Sequence, residues 1–96
     1  MDPRTTYDRR EEVQVLDVRE PDEWATGHVA GAVHIPMNQV PRRLQELDPH
    51  RTVVVVCRSG HRSDHVAQYL RGLGINAENM PGGLQAWANH GLPLSR

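Results

Sequence analysis

The feature that most constrains the fold of this chain is a run of four valines, Val53–Val56, that leads directly into Cys57. Consecutive β-branched apolar residues are typical of a strand that is covered on both faces of a parallel sheet. Residues 13–18 (VQVLDV) have the same character, and residues 32–36 (AVHIP) and 75–80 (INAENM) fit shorter or weaker strands. The run from Val53 to Cys57 is the longest apolar one, far below the ~20 residues that cross a bilayer, so no membrane contact is expected.

Helical patterns alternate with these strands. A short helix is predicted from Pro21, with acidic residues in its positive first turn, and Gly27 can end it. A second is predicted after Asn38, with Pro41 near its start. The apolar faces of the last three predicted helices are Val40, Leu44 and Leu47, then Val66, Ala67, Leu70 and Leu73, then Leu84, Trp87 and Ala88. This alternation predicts one α/β domain over residues 1–96, with a four- to five-stranded parallel sheet in three α/β/α layers.

Composition narrows the class of protein. The 96 residues suffice for one core, and 38% hydrophobic and 24% charged residues are typical of a globular domain. A net charge of -1 gives no indication of a nucleic-acid partner. The single cysteine excludes an internal disulfide, and the N-terminal segment is too charged for a signal peptide. A cytoplasmic location is therefore expected.

The residues after the valine run point to anion chemistry. Cys57 falls at the carboxyl end of the central strand, where ligands of such sheets bind. The backbone N–H groups of residues 58–62 have no strand partner and can form an anion-binding nest, for which Gly60 supplies the conformational freedom. Arg58 and Arg62 add positive charge. These features favour a thiolate, so Cys57 is predicted to be a reactive, solvent-reachable thiol; the alternative is an inert core cysteine.

Three spaced motifs carry a resemblance to a known family. They are residues 15–36 (VLDVREPDEWATGHVAGAVHIP), 57–63 (CRSGHRS) and 80–93 (MPGGLQAWANHGLP). In this order they resemble a single-domain rhodanese, a sulfurtransferase. The resemblance implies a five-stranded parallel sheet, although only twelve residues precede Val13 and the first edge strand is expected to be short or absent.

The same resemblance implies a mechanism. The Cys57 thiolate would take a sulfur atom from a small anionic donor such as thiosulfate and hold it as a persulfide. Cyanide or a thiol, including one on a partner protein, would then accept that sulfur. No cofactor and no metal ion would be required.

The residues of the cysteine loop are the predicted donor site. Cys57 is the predicted catalytic residue, and the active-site loop comprises Arg58, Ser59, Gly60, His61, Arg62 and Ser63. Arg62 is expected to bind the donor, a role that Arg58 could share, and His61 is expected to be exposed. Ser63 can either cap the following helix or bond the sulfur.

Residues outside the loop are expected to be structural. Asp17 and Arg19 are predicted to form an internal ion pair, and His28 a buried hydrogen bond. Trp24 and Trp87 are predicted to pack in the core.

Two other functions compete with sulfur transfer. Protein tyrosine phosphatases also place a cysteine and an arginine between a strand and a helix, but their loop has five residues between the two. Here four residues separate Cys57 from Arg62, which suits a single sulfur atom better than a phosphate. The other alternative is a non-catalytic interaction module, which the intact cysteine loop disfavours.

Overall fold

A computed structural model describes all residues, 1–96, and shows a four-stranded parallel sheet. Its strands are β1 (Gln14–Asp17), β2 (Val33–His34), β3 (Val53–Val56) and β4 (Ala77–Asn79), in the spatial order β2-β1-β3-β4. Each pair of neighbours is parallel. The predicted fold class is thereby confirmed, with β3 inside the sheet.

The fifth strand implied by the resemblance is absent. Residues before β1 form a helix instead, α1 (Pro3–Asp8). Pro3 suits its first turn, and the side chain of Asp2 accepts a hydrogen bond from the Thr5 amide at 2.7 Å. Such a capped start favours a helix over an edge strand.

Three further α-helices follow, α2 (Pro21–Ala25), α3 (His61–Gly72) and α4 (Gly83–Asn89). The helix predicted after Asn38 is wrong: the chain forms two 3₁₀ segments there, Met37–Arg42 and Leu44–Glu46. Pro41 lies inside the first segment, where its missing N–H cannot support an α-helical ladder. None of the helices has the length and apolar content that a membrane crossing demands.

The valines of β3 divide the core between the two faces of the sheet. Val53 and Val55 pack in the cluster that includes α3, whereas Val54 and Val56 pack with Trp87 of α4. Side chains alternate along a strand, so Cys57 continues on the α3 side and belongs to the first cluster. Leu73, which was predicted on the buried face of α3, is 49% exposed, because the helix ends at Gly72 and the chain turns away.

Candidate active site

The Cys57 side chain lies at the carboxyl edge of the sheet, inside the loop that joins β3 to α3. Its Sγ accepts hydrogen bonds from the backbone amides of Gly60 at 3.1 Å and Ser63 at 3.4 Å, and lies 3.3 Å from Ser63 Oγ. Of residues 58–62, which were expected to form the anion-binding nest, Gly60 donates its amide to the sulfur, and the other amide donor, Ser63, lies outside that range. Cys57 is only 1% exposed, so the prediction of a solvent-reachable thiol is wrong.

Burial and hydrogen bonding act on the sulfur in opposite directions. Burial raises the pKa of the Cys57 thiol, but hydrogen bonds from Ser63 and from the amides of Gly60 and Ser59 outweigh it and lower the pKa below its ordinary value. Amide donors favour the thiolate because they complement its negative charge. Cys57 is thus buried in the core, but its hydrogen bonds favour the thiolate.

The loop turns into α3 at Gly60, which adopts a left-handed conformation with φ +97°. A side chain at this position would crowd the backbone of Gly82, 3.0 Å from a Cβ atom. Ser63 is fully buried in the first turn of α3 and does not cap it, so its hydroxyl serves the loop instead. Of the two roles predicted for Ser63, the contact with the sulfur is the one observed.

The first turn of α4 forms hydrogen bonds with the backbone of the cysteine loop. The amide of Leu84 donates to the Cys57 carbonyl at 2.9 Å, and that of Gln85 donates to the Arg58 carbonyl at 3.0 Å. Gly83 permits this approach, because a Cβ there would lie 2.4 Å from the Cys57 carbonyl oxygen. Gly83, in the third sequence motif (residues 80–93), therefore allows helix α4 to contact the backbone of the cysteine loop.

Asn79, at the end of β4, is a site residue that the sequence reasoning missed. Its Nδ2 donates to the Gly60 carbonyl at 3.1 Å, and its Oδ1 accepts from Ser63 Oγ at 2.5 Å. The available signal was an amide side chain at the carboxyl end of a strand, where ligands of parallel sheets bind.

The Arg62 side chain forms an ion pair with Glu23 of α2. Its guanidinium donates to both carboxylate oxygens of Glu23, at 2.7 and 2.9 Å. This bidentate bond lowers the pKa of Glu23 to about 2 and raises the pKa of Arg62 above its ordinary value. From the sequence we expected Arg62 to bind the sulfur donor, and its ion pair with Glu23 was not predicted.

Asp17 and Arg19 form the internal ion pair that the sequence predicted. Arg19 Nη2 lies 2.8 Å from Asp17 Oδ2, and both side chains are buried. Arg19 also donates to the carbonyls of Glu23 and Gly27. The pair therefore fixes α2 to the end of β1 and, through Glu23, fixes the position of Arg62.

Two cavities flank the cysteine loop. One, of about 410 Å³, is lined by Arg58 together with residues of α2 and α4. The other, of about 390 Å³, is lined mainly by polar residues and glycines, among them Ser59, His61 and Asn79. Arg58 and His61 are exposed, and Arg58 forms no ion pair with a carboxylate.

The remaining aromatic residues have structural positions. Trp24 stacks between His28 and His34, with ring centroids 3.6 and 4.6 Å away. His28 is half-buried and its Nδ1 contacts the Trp24 carbonyl at 3.0 Å. Trp87 is buried and donates to the Pro93 carbonyl. Trp87 therefore packs in the core as predicted, whereas Trp24 is half-buried and packs against two histidines outside the core.

Fold and site together define a class: a parallel α/β domain with a cysteine in an amide-lined loop at the carboxyl edge of its sheet. The sequence model of the rhodanese-like domain matches residues 3–90. The chain belongs to the rhodanese-like domain family, and is a sulfurtransferase of that family.

Individual relatives agree with this assignment. A sulfurtransferase of Allochromatium vinosum is 42% identical over 85 residues, covering 88% of this chain and 79% of the relative. The thiosulfate sulfurtransferase GlpE of Pseudomonas entomophila is 35% identical over 80 residues, covering 82% and 73%. The crystal structure of a rhodanese-related protein from Thermoplasma volcanium superposes with a TM-score of 0.94 at 30% identity, covering 99% and 95% of the two chains.

Gly83→Ala tests the contact between α4 and the loop. We expect it to destabilise the fold by about 2–4 kcal/mol, since a left-handed alanine costs ~1–2 kcal/mol and its Cβ would displace the Cys57 backbone. Sulfur transfer should fall at least about tenfold because the loop is displaced. Gly74→Ala is the matched control: its φ is +83° with nothing near the added Cβ. Urea denaturation should show a loss of only ~1–2 kcal/mol there, with transfer retained. Equal effects of the two variants would contradict this account.

Glu23→Gln tests the ion pair with Arg62. The folded-state pKa of Glu23 is lowered from 4.5 to about 2, so its stabilisation is complete above the unfolded-state pKa and is lost as the pH falls toward 2. Because the two side chains are 28% and 37% exposed, we expect only about 0.5–1 kcal/mol at neutral pH. Urea denaturation as a function of pH should show this difference disappear on acidification. Glu11→Gln, at an exposed residue without an ion pair, should show no such dependence.

Proposed function

We propose that the protein transfers a sulfane sulfur from a thiosulfate-type donor to a nucleophilic acceptor through a persulfide on Cys57. The observation that carries the proposal is the Cys57 sulfur, which accepts two backbone amide bonds inside a loop of four residues. Such a loop stabilises negative charge on sulfur and has room for a small group. The chain has no second cysteine that could convert a persulfide into a disulfide.

The first step is attack by the Cys57 thiolate on the outer sulfur of thiosulfate. A new S–S bond forms at Cys57, the bond between the two donor sulfurs breaks, and sulfite leaves with that electron pair. In the second step cyanide or a thiolate attacks the outer sulfur of the persulfide. The Cys57–sulfur bond breaks and its electron pair restores the thiolate, so neither step needs an outside oxidant or reductant.

Burial of Cys57 is consistent with a relay of this kind. At 1% exposure the sulfur itself is poorly accessible to a bulky acceptor. An added sulfur atom extends the reactive end of the side chain by about 2 Å, the length of an S–S bond. The outer sulfur of the persulfide would therefore lie closer to the surface than Cys57 Sγ, where an acceptor can reach it.

Two features support a small anionic donor. The name of the Pseudomonas relative specifies thiosulfate, and Arg58 on the flank of the loop forms no ion pair, although Asp22 and Glu23 line the same cavity. Arg62 is already bound to Glu23, so Arg58 is the loop cation that we assign to the donor's sulfonate group. The physiological acceptor would be a thiol on a small molecule or on a protein.

The phosphatase alternative is disfavoured by the size of the loop. The amide of Gly60, one of the four residues between Cys57 and Arg62, and the amide of Ser63, just after Arg62, already donate to Cys57 Sγ. In addition, the arginine that would bind a phosphate is engaged by Glu23. A pure interaction module, for its part, would gain nothing from an activated buried thiol.

The persulfide itself is the first test. Reduced protein incubated with thiosulfate and desalted should gain one sulfur atom by intact mass spectrometry. Cyanide should then remove this sulfur and yield thiocyanate. Cys57→Ala should show neither event, while circular dichroism verifies that the variant is folded.

The same experiment distinguishes the rivals. A phosphatase would hydrolyse an aryl phosphate and form no sulfur adduct, and an interaction module would do neither. Absence of the adduct with both thiosulfate and mercaptopyruvate would refute the persulfide mechanism.

Arg58→Gln tests the assignment of the donor site. We expect KM for thiosulfate to rise about three- to tenfold with little change in kcat, since one exposed charge is removed. Added salt should raise the KM of the unaltered protein toward that of the variant. Arg42→Gln, at an exposed arginine on the first 3₁₀ segment, should leave KM unchanged. If Arg58→Gln also has no effect, the sulfonate binds elsewhere.

A further inference from the structure

One amide side chain connects the two ends of the cysteine loop. Asn79 Nδ2 donates to the Gly60 carbonyl at 3.1 Å, and Asn79 Oδ1 lies 2.5 Å from Ser63 Oγ. A backbone carbonyl can only accept, so its bond fixes the orientation of the amide and leaves Oδ1 facing Ser63. Because Oδ1 has no proton, the Ser63 hydroxyl must donate across this short contact.

A serine hydroxyl has only one proton to donate. While Ser63 donates to Asn79, it presents only lone pairs to Cys57 Sγ, 3.3 Å away. A neutral thiol fits this arrangement, since its S–H can donate to Ser63 Oγ. A thiolate does not fit this arrangement, because a lone pair of Ser63 Oγ would face the negative sulfur. To donate to the thiolate, the Ser63 hydroxyl must give up its hydrogen bond to Asn79.

We propose that Asn79 is a positioning residue that sets the reactivity of Cys57 by competing with its sulfur for the Ser63 hydroxyl proton. The inference rests on the proposed function of Cys57 as the sulfur carrier. When Cys57 bonds to a donor sulfur, the charge leaves Sγ and the hydroxyl can donate to Asn79. When transfer restores the thiolate, the hydroxyl can turn to the sulfur again.

The competition has a chemical use in a group-transfer enzyme. Amide donors alone would make the thiolate very stable, but nucleophilicity falls as the pKa of the thiol falls, and the best attacking thiols have a pKa near the ambient pH. By retaining the hydroxyl proton, Asn79 opposes the stabilisation that Gly60 and Ser63 amides give. Cys57 stays reactive in both directions of transfer.

The surroundings of Ser63 make the competition specific. Ser63 is 0% exposed, so bulk water does not supply another acceptor for its proton. The Gly60 carbonyl also accepts from the Asp64 amide at 3.2 Å. Loss of the Asn79 amide would therefore not leave that carbonyl without a donor.

Other charges near the sulfur form a constant background. The charged or titratable groups near the loop include Arg58, His61, Arg62, Asp64, His65, Glu23, Asp17, Arg19, Glu78 and the N-terminal ammonium of Met1, which donates to the Asn79 carbonyl at 2.8 Å. None is changed in the variants below, so differences between variants report on Asn79 and Ser63.

The test compares Asn79→Leu with Asn79→Asp by the rate of Cys57 alkylation with iodoacetamide as a function of pH. Both variants lose the bond to Gly60, but leucine removes the acceptor of the hydroxyl proton and aspartate strengthens it. At a fixed pH below the midpoint of the profile, we expect Asn79→Leu to react about three- to tenfold faster, the scale of one typical net hydrogen bond, and Asn79→Asp to react more slowly. The charge of aspartate also disfavours the thiolate through space, so the acceleration of Asn79→Leu and its dependence on Ser63 carry the test.

The Ser63→Ala background supplies the control. If Asn79 acts through the hydroxyl, adding Asn79→Leu to Ser63→Ala should leave the alkylation profile unchanged. Persistence of the acceleration in that background, or a slower or unchanged Asn79→Leu, would overturn the proposal. Asn79→Ala, which also lacks the acceptor, takes the place of the leucine variant if the latter does not fold.

Alkylation requires no sulfur donor, so it is independent of the transfer assay. The expected profiles without any persulfide would refute the proposed function and leave the proton competition intact. Persulfide formation with unshifted alkylation profiles would support the proposed function and refute the competition for the Ser63 proton.

Discussion

The sulfur of Cys57 accepts hydrogen bonds from the Gly60 and Ser63 amides, and this contact places the strictest demand on the surrounding structure. Amides that point at one atom require a tightly curved backbone, and such a curve exposes carbonyl groups on its outer side. Those carbonyls need partners, because an unpaired buried polar group is costly. The elements around the loop supply these partners.

Three elements hold the curve from different directions. The start of α4 donates to the carbonyls of Cys57 and Arg58, Asn79 of β4 donates to Gly60, and α2 binds Arg62 through Glu23. α2 is in turn fixed to β1 by the buried pair of Asp17 and Arg19. The loop is therefore held in place by α4, β4 and α2, and through α2 by β1. Such rigidity matters in a site whose chemistry depends on preorganised dipoles.

Much of the fold and the centre of the site followed from local sequence patterns. The valine run predicted β3, and the alternation of strands with helices predicted the parallel sheet. The position of Cys57 at the end of β3 predicted a reactive thiol in an anion-binding loop, in agreement with the amide bonds observed. The predictions of β3 and of the parallel sheet are confirmed because each depends on the chemistry of neighbouring residues, whereas the solvent access expected for Cys57 depends on packing and was wrong. The predicted helix after Asn38 failed even so, because Pro41 disrupts α-helical hydrogen bonding at a position where the apolar spacing still looks helical.

The sequence by itself determined which residue can serve as a thiol nucleophile, since it contains a single cysteine and places a charged, glycine-containing loop directly after it. Tertiary structure decided what each supporting residue does. Glu23 and Arg62 are 39 positions apart, and Ser63 and Asn79 are 16 apart. No pattern of residue spacing predicts contacts over such separations. The exclusion of a side chain at Gly83 likewise depends on the backbone of Cys57. Whether an arginine binds a donor or a glutamate, and whether a hydroxyl donates to sulfur or to an amide, depends on which elements the packing brings together.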